Sequence, residues 1–216
     1  MRSPFKRIII ILILTGLPAI SIADDHWKFI GDKEGITLYV REVSGHPEAQ
    51  FKGVCIIRRP IAAVAAVLSD VAAYPKWFFK CIEAKKIQTE NSSELHFFLY
   101  AAIDTPWPFS DRDVVYKTDV TIDYESGKVV IHSIAEKGSF VPLRSRYVRI
   151  TDSEHEWILE RLSVDRTRIT FMNRTNTAGR FADYLSNPGV RDTTIHSLAN
   201  LKKLLNHPDA AEKSGS

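Results

Sequence analysis

Arg112 falls on the mostly apolar face of a strand-like run, and an arginine in that setting needs a chemical reason. In the block Asp104-Thr105-Pro106-Trp107-Pro108-Phe109-Ser110-Asp111-Arg112-Asp113 two prolines bracket a tryptophan, and a strand-like run follows. Along that run Arg112, Val114, Tyr116, Thr118 and Val120 alternate with Asp113, Lys117 and Asp119, which puts the arginine on the mostly apolar face. An unpaired buried charge costs several kcal/mol, on the order of the whole net stability of a small domain. Arg112 therefore has two readings, a structural ion pair or a clamp for the polar group of a ligand. Tyr116, His132 and Asn173 are further polar residues set among apolar ones, and they offer neutral hydrogen bonds.

Other chemistries find little support in the residue types. The seven histidines (His26, His46, His96, His132, His155, His196 and His207) show no His-Glu-x-x-His spacing and have no cysteine pair nearby, so no metal ligand set is expected. A Gly-x-Ser-x-Gly elbow, a phosphate-binding glycine loop and a dinucleotide fingerprint are all missing from the chain, and no cofactor is expected. Cys55 and Cys81 are the only thiols; they allow either one disulfide, a staple rather than a redox centre, or two buried free thiols.

The elements that must position Arg112 are mostly strands. Each proline of the block fixes its own backbone and extends the residue before it, so Thr105 to Phe109 reads as a stiff connection between antiparallel strands. Trp107 is read as an anchor packing that turn onto the sheet. Strands are expected over 36–43, 49–57, 82–88, 94–103, 112–122, 128–134, 146–151, 155–162 and 168–173, separated by turn-forming stretches such as Glu125-Ser126-Gly127. One helical stretch opens near Pro60 and runs to a break at Pro75; a second covers about 190–206, with Ile195, Leu198, Leu201 or Lys202, and Leu205 on one stripe. A long meander can bury a single closing helix only by curling around it. The fold class is therefore α+β, a helix-grip fold with a curved antiparallel sheet wrapped around a C-terminal helix and an internal apolar cavity.

The chain start bears on compartment. Arg2, Lys6 and Arg7 precede an apolar run from Ile8 to Leu14, and Ser21-Ile22-Ala23 has small residues at the two positions a signal peptidase reads, so residues 1–23 read as a cleaved signal peptide and the protein as periplasmic or secreted. A membrane anchor would need ~20 apolar residues. The leader holds three of the 29 basic residues and none of the 26 acidic ones, leaving a formally neutral mature chain. Such a balance gives no electrostatic case for nucleic acid. Residues 24–207 form one expected domain and 208–216 a flexible polar tail, and the protein is expected to be a monomer.

Taken in order, these residues resemble the START (StAR-related lipid transfer) domain family, bacterial secreted branch. The resemblance rests on Trp27 with Gly35-Ile36-Thr37-Leu38-Tyr39-Val40-Arg41, on Asp70 through Tyr74-Pro75 and Trp77, on the Pro106 to Asp113 block, on Trp157, on Thr167-Arg168-Ile169-Thr170, and on Ala178-Gly179 to Asn187 leading into Leu198, Asn200 and Leu201. Phe181 stands where the family often has a proline. The resemblance implies one lipid or sterol-like molecule bound in the cavity, transient membrane contact during transfer, and a gate made by the C-terminal helix and the loop near Gly138 to Leu143. It also implies a buried arginine with an acidic partner that together fix a polar head; Arg112 matches the arginine, and Glu94 is the candidate acid. The expected ligand-binding residues are Arg112, Glu94, Phe97, Leu99, Tyr116, His132, Phe171, Asn173, Leu198 and Leu201, with Val114 and Ile134 also on the wall. No enzymatic activity is expected of such a carrier. The alternatives are a helix-grip enzyme of polyketide cyclase type, with His132 or Tyr116 as base or acid, and an envelope partner-binding protein without ligand.

Overall fold

Period-two alternation and β-branched or aromatic residues build one large sheet. The computed structural model describes residues 26–137, 141–179 and 182–206. The expected signal peptide and the polar tail fall outside the described residues, as does the start of the expected gate loop. The strands are β1 (Lys28–Lys33), β2 (Ile36–Arg41), β3 (Gln50–Ile57), β4 (Cys81–Ile87), β5 (His96–Ile103), β6 (Asp111–Asp123), β7 (Lys128–Ala135), β8 (Tyr147–Ile150), β9 (Asp152–Ser163) and β10 (Arg166–Asn176). Helix α1 (Ile61–Ser69) follows β3, and α2 (Ala182–Asn206) closes the described chain. The sheet runs β1-β2-β3-β10-β9-β7-β6-β5-β4. All of these neighbours are antiparallel. Strand β6 has different neighbours along its length: Asp111 to Val114 pair in parallel with β8, while Tyr116 to Asp123 pair with β7.

The closing helix packs where its stripe was expected. Ile195, Leu198, Leu201 and Leu205 are buried, and Lys202 reaches past the stripe to donate to the Glu34 carbonyl at 2.6 Å. Gly53 on β3 makes the close approach of α2 possible, because a Cβ there would sit 2.5 Å from Leu198 Cδ1 and 3.0 Å from Thr194 Cγ2. Gly53→Val is thus expected to cost about 1–3 kcal/mol by overpacking. Urea unfolding checks this, and an unchanged midpoint would show that α2 can shift without loss.

Three expectations change, and one left open is decided. Strand β1 was not foreseen because Lys28–Lys33 is a largely exposed, polar edge with no alternating pattern. The first helix ends at Ser69, and a separate 3-10 helix over Val71–Lys76 holds Pro75 rather than stopping at it. Helix α2 begins at Ala182 instead of about Val190; Pro188 lies inside it, where the ring gives up one helical hydrogen bond and so disguises the first turns. Cys55 and Cys81 are both free and buried. They lie on β3 and β4, with β10, β9, β7, β6 and β5 between them in the sheet order. Burial pushes their thiols up to about 11 and about 12, so neither is a thiolate at neutral pH.

Candidate functional site

The concave side of the sheet, α1 and the first half of α2 enclose a cavity of about 580 Å³. That is room for about twenty water volumes, within the usual range of small-ligand sites. Alternation decides what faces it. On β5 the odd residues Phe97, Leu99, Ala101 and Ile103 line the cavity, while Phe98, Tyr100 and Ala102 turn to the other side and pack with Val115 and Tyr147. On β6 Arg112, Val114, Tyr116, Thr118 and Val120 point inward as the sequence pattern requires. The floor is aromatic: Trp157 stacks on Phe171 at 3.9 Å between ring centres, and Phe78 meets Phe171 edge-on at 6.1 Å.

Arg112 is buried, 5 % exposed, at the end of the cavity near the proline turn. Its Nε donates to the Thr177 carbonyl at 3.2 Å, Nη1 to the Ser110 carbonyl, and Nη2 to the Ala178 carbonyl at 3.4 Å. Burial lowers its pKa from the ordinary value, and the nearby Asp111 opposes that shift. No carboxylate pairs with it among the described residues. The guanidinium instead ties the end of the proline turn to the stretch that leads into α2, where Ala178 holds a left-handed backbone (φ 55°). The expected partner Glu94 is exposed and sits at the opposite rim. Arg112 is in register with Ile103 at one end of β5, and Glu94 lies beyond the other end, past His96, so the seven-residue step from His96 to Ile103 alone separates them by roughly 23 Å along the strand direction.

A second polar group lies deeper. Tyr116 Oη is 2.8 Å from Ser153 Oγ and 3.2 Å from His155 Nε2, and Ser153 Oγ is 2.7 Å from Thr175 Oγ1. Thr175 donates to Asn173 Oδ1 at 3.3 Å, and the Asn173 amide donates to the Val190 carbonyl of α2 at 3.3 Å. Burial pushes the His155 imidazole down to about 4, against a smaller opposing effect of the Asn173 side chain. It also raises the Tyr116 hydroxyl well above its ordinary value, so both are neutral at pH 7.

Of the expected site residues, Arg112, Phe97, Leu99, Tyr116, Asn173 and Val114 line the cavity, and Glu94 stands at its rim. His132 does not: it faces outward on β7 and bonds Glu154 at 2.8 Å, because Ile131 and Ser133 take the inward positions. Ile134 is on the same outer face, 49 % exposed. Phe171, Leu198 and Leu201 are core, fully buried under the floor and against β3, while α2 presents Pro188, Val190 and Thr193 to the cavity. His155 was missed, although its place before Trp157 on β9 carried the signal: residues 153, 155 and 157 alternate inward. Trp107 is not an anchor either, being 92 % exposed at the tip of its turn. His46, Glu48 and Asp152 approach within 4.8 Å of one another, with Arg174 bonded to Asp152 at 2.8 Å and Asn176 to Glu48, which makes them part of an ion-pair network.

An antiparallel sheet curled against a C-terminal helix around an apolar cavity with a few buried polar groups defines a helix-grip protein. No family model matches the chain. It is 27 % identical over 213 residues to an uncharacterized protein of Pseudomonas aeruginosa, covering 99 % of this chain and all of that one. Among solved structures it is similar to a StAR-related lipid transfer protein fragment from Xanthomonas axonopodis, at 27 % identity and TM-score 0.75, over 85 % of this chain and 100 % of that one. Human STARD10 has the same fold at 17 % identity and TM-score 0.76, over 88 % of this chain and 76 % of that one. The chain has the START, or StAR-related lipid transfer, domain fold.

Proposed function

We propose that the protein is a secreted or periplasmic carrier that holds one lipid or sterol-like molecule in its cavity and moves it between membranes without covalent chemistry. The observation that carries this reading is the 580 Å³ apolar cavity closed by α2. Drawing a lipid out of a bilayer exposes its tail at ~0.8 kcal/mol per methylene, and a chamber that shields the tail lowers that barrier by binding alone. The basic and apolar start of the chain supports export. His132, one of the two residues on which a cyclase reading rested, faces away from the cavity. The test is a native mass spectrum of the mature protein from its own envelope, with solvent extraction of whatever is bound. One adduct per protein supports the carrier; an empty protein that takes up no labelled lipid overturns it.

We infer that the end carrying the Trp107 turn and the Leu143 loop is the one that meets the membrane. The Trp107 turn feeds the start of β6, the loop holding Leu143 feeds the start of β8, and those two strands are parallel with Asp111 opposite Tyr147. Both loops therefore emerge at one end, with Trp107 92 % and Leu143 71 % exposed, and the cavity lining reaches Thr105 and Pro106 there. Burying an indole in the interfacial region is worth about 2 kcal/mol. Trp107→Ala is expected to weaken binding to phosphatidylglycerol-containing vesicles at least tenfold, read by sedimentation, with the unfolding midpoint unchanged. Equal binding would place the docking end elsewhere.

A further inference from the structure

The deep polar group has more places to accept a hydrogen than hydrogens to fill them. Five contacts run through its hydroxyls: Tyr116 to Ser153, Tyr116 to His155 Nε2, Ser153 to Thr175, Ser153 to the Arg174 carbonyl, and Thr175 to Asn173 Oδ1. Tyr116, Ser153 and Thr175 supply one hydrogen each, and a neutral imidazole adds at most one more through Nε2. Even that most generous assignment leaves four hydrogens for five contacts, so at least one oxygen or nitrogen lone pair meets another unbridged. None of the four hydrogens is spare, so an acceptor arriving from the cavity must take one from an existing contact, whereas a donor brings its own to a lone pair of the group. Tyr116, His155, Asn173 and Thr175 all line the cavity, so a ligand can supply that donor.

Charge narrows the ligand further. The group itself is neutral at pH 7. The charged residues of the lining are remote or engaged: Lys80 and Asp104 pair with each other at 3.0 Å, Glu94 is exposed at the rim, and Asp192 is half-buried beside Arg191. Arg112 is held by three carbonyls four residues along β6 from Tyr116, roughly 13 Å away. A carboxylate or ammonium end at Tyr116 would be desolvated with no counter-charge.

We propose that Tyr116, His155, Ser153, Asn173 and Thr175 form the head-recognition station of this carrier, and that its ligand is a slender apolar molecule ending in an uncharged hydroxyl that donates a hydrogen bond into the station. The inference rests on the carrier reading and assigns its ligand class: an alcohol, rather than a fatty acid anion, an ether or an ester.

Displacement of the neutral dye Nile red from the purified mature protein tests it with two matched pairs, hexadecan-1-ol against 1-methoxyhexadecane and cholesterol against its methyl ether, and with hexadecanoate as the anion. The expected result is that in at least one pair the alcohol displaces the dye at about tenfold lower concentration than its ether, and more tightly than hexadecanoate. Tyr116→Phe should erase that preference while the ether binds as before. Because the wild-type comparison alone reads the preference, the test stands even if the variant folds poorly. Ethers or hexadecanoate binding as tightly as the alcohols would overturn the station and leave the carrier reading intact. Failure of the dye and every probe to bind would overturn both.

Discussion

Replacing Arg112 with leucine is expected to destabilise the protein by about 3 kcal/mol and to abolish ligand retention. Leucine restores apolar volume but leaves the Ser110, Thr177 and Ala178 carbonyls without the donors they have now. Hydrogen bonds from a charged donor contribute about 1.5–3 kcal/mol each, and the sum is discounted because carbonyls near the mouth regain water. The second effect follows from what the guanidinium joins. Thr177 and Ala178 lead into α2, and Ser110 ends the proline turn, so losing the arginine frees the approach to the helix that closes the cavity. Arg112→Lys keeps the charge without the planar fork and should fall between wild type and leucine. Urea unfolding and the native mass spectrum measure both effects. If Arg112→Leu keeps full stability but loses the adduct, Arg112 is a ligand clamp and not a latch.

The sequence pattern carried the inward face of β6 because Arg112, Val114, Tyr116, Thr118 and Val120 share one parity, and a thirteen-residue strand leaves no room for a register error. It failed at His132 for the same geometric reason. Val129 to Ala135 is apolar on both parities, with Val130 and Ile134 on the outer side, so no alternation marks which face is wet. Glu94 failed because the pairing of β5 with β6 runs antiparallel: residues close in sequence to the turn meet, and those far from it part, which places Glu94 at the other rim. The partner of Arg112 could not be read at all. Backbone carbonyls carry no residue identity, and two of the three belong to Thr177 and Ala178, which lie next to Arg112 only after the whole meander has closed. The Tyr116 station is also a product of closure, assembled from β6, β9 and β10, three strands whose hydroxyls look unremarkable apart.

Asp113→Ala should cost about 3–5 kcal/mol, the largest single loss expected on the convex side of the sheet. Asp113 is 1 % exposed and takes a two-pronged contact from Arg149, Nε to Oδ1 at 2.8 Å and Nη2 to Oδ2 at 3.0 Å. Removing the carboxylate takes the counter-charge from a guanidinium that is itself largely buried. The consequence reaches the mouth, because Arg149 also donates to the Val141 carbonyl at 3.4 Å and so holds the loop that carries Leu143 to the start of β8. Hydrogen exchange over residues 141–150 should therefore rise more than exchange over β9 and β10, and urea unfolding gives the stability loss. The pair Asp113→Leu with Arg149→Met separates charge from packing: apolar residues of similar volume remove the uncompensated charge and should recover most of the stability. The tether to Val141 stays broken in that double variant, so loop exchange should remain fast while the fold is restored. Recovery of both together would mean that the loop is ordered by the sheet and not by Arg149.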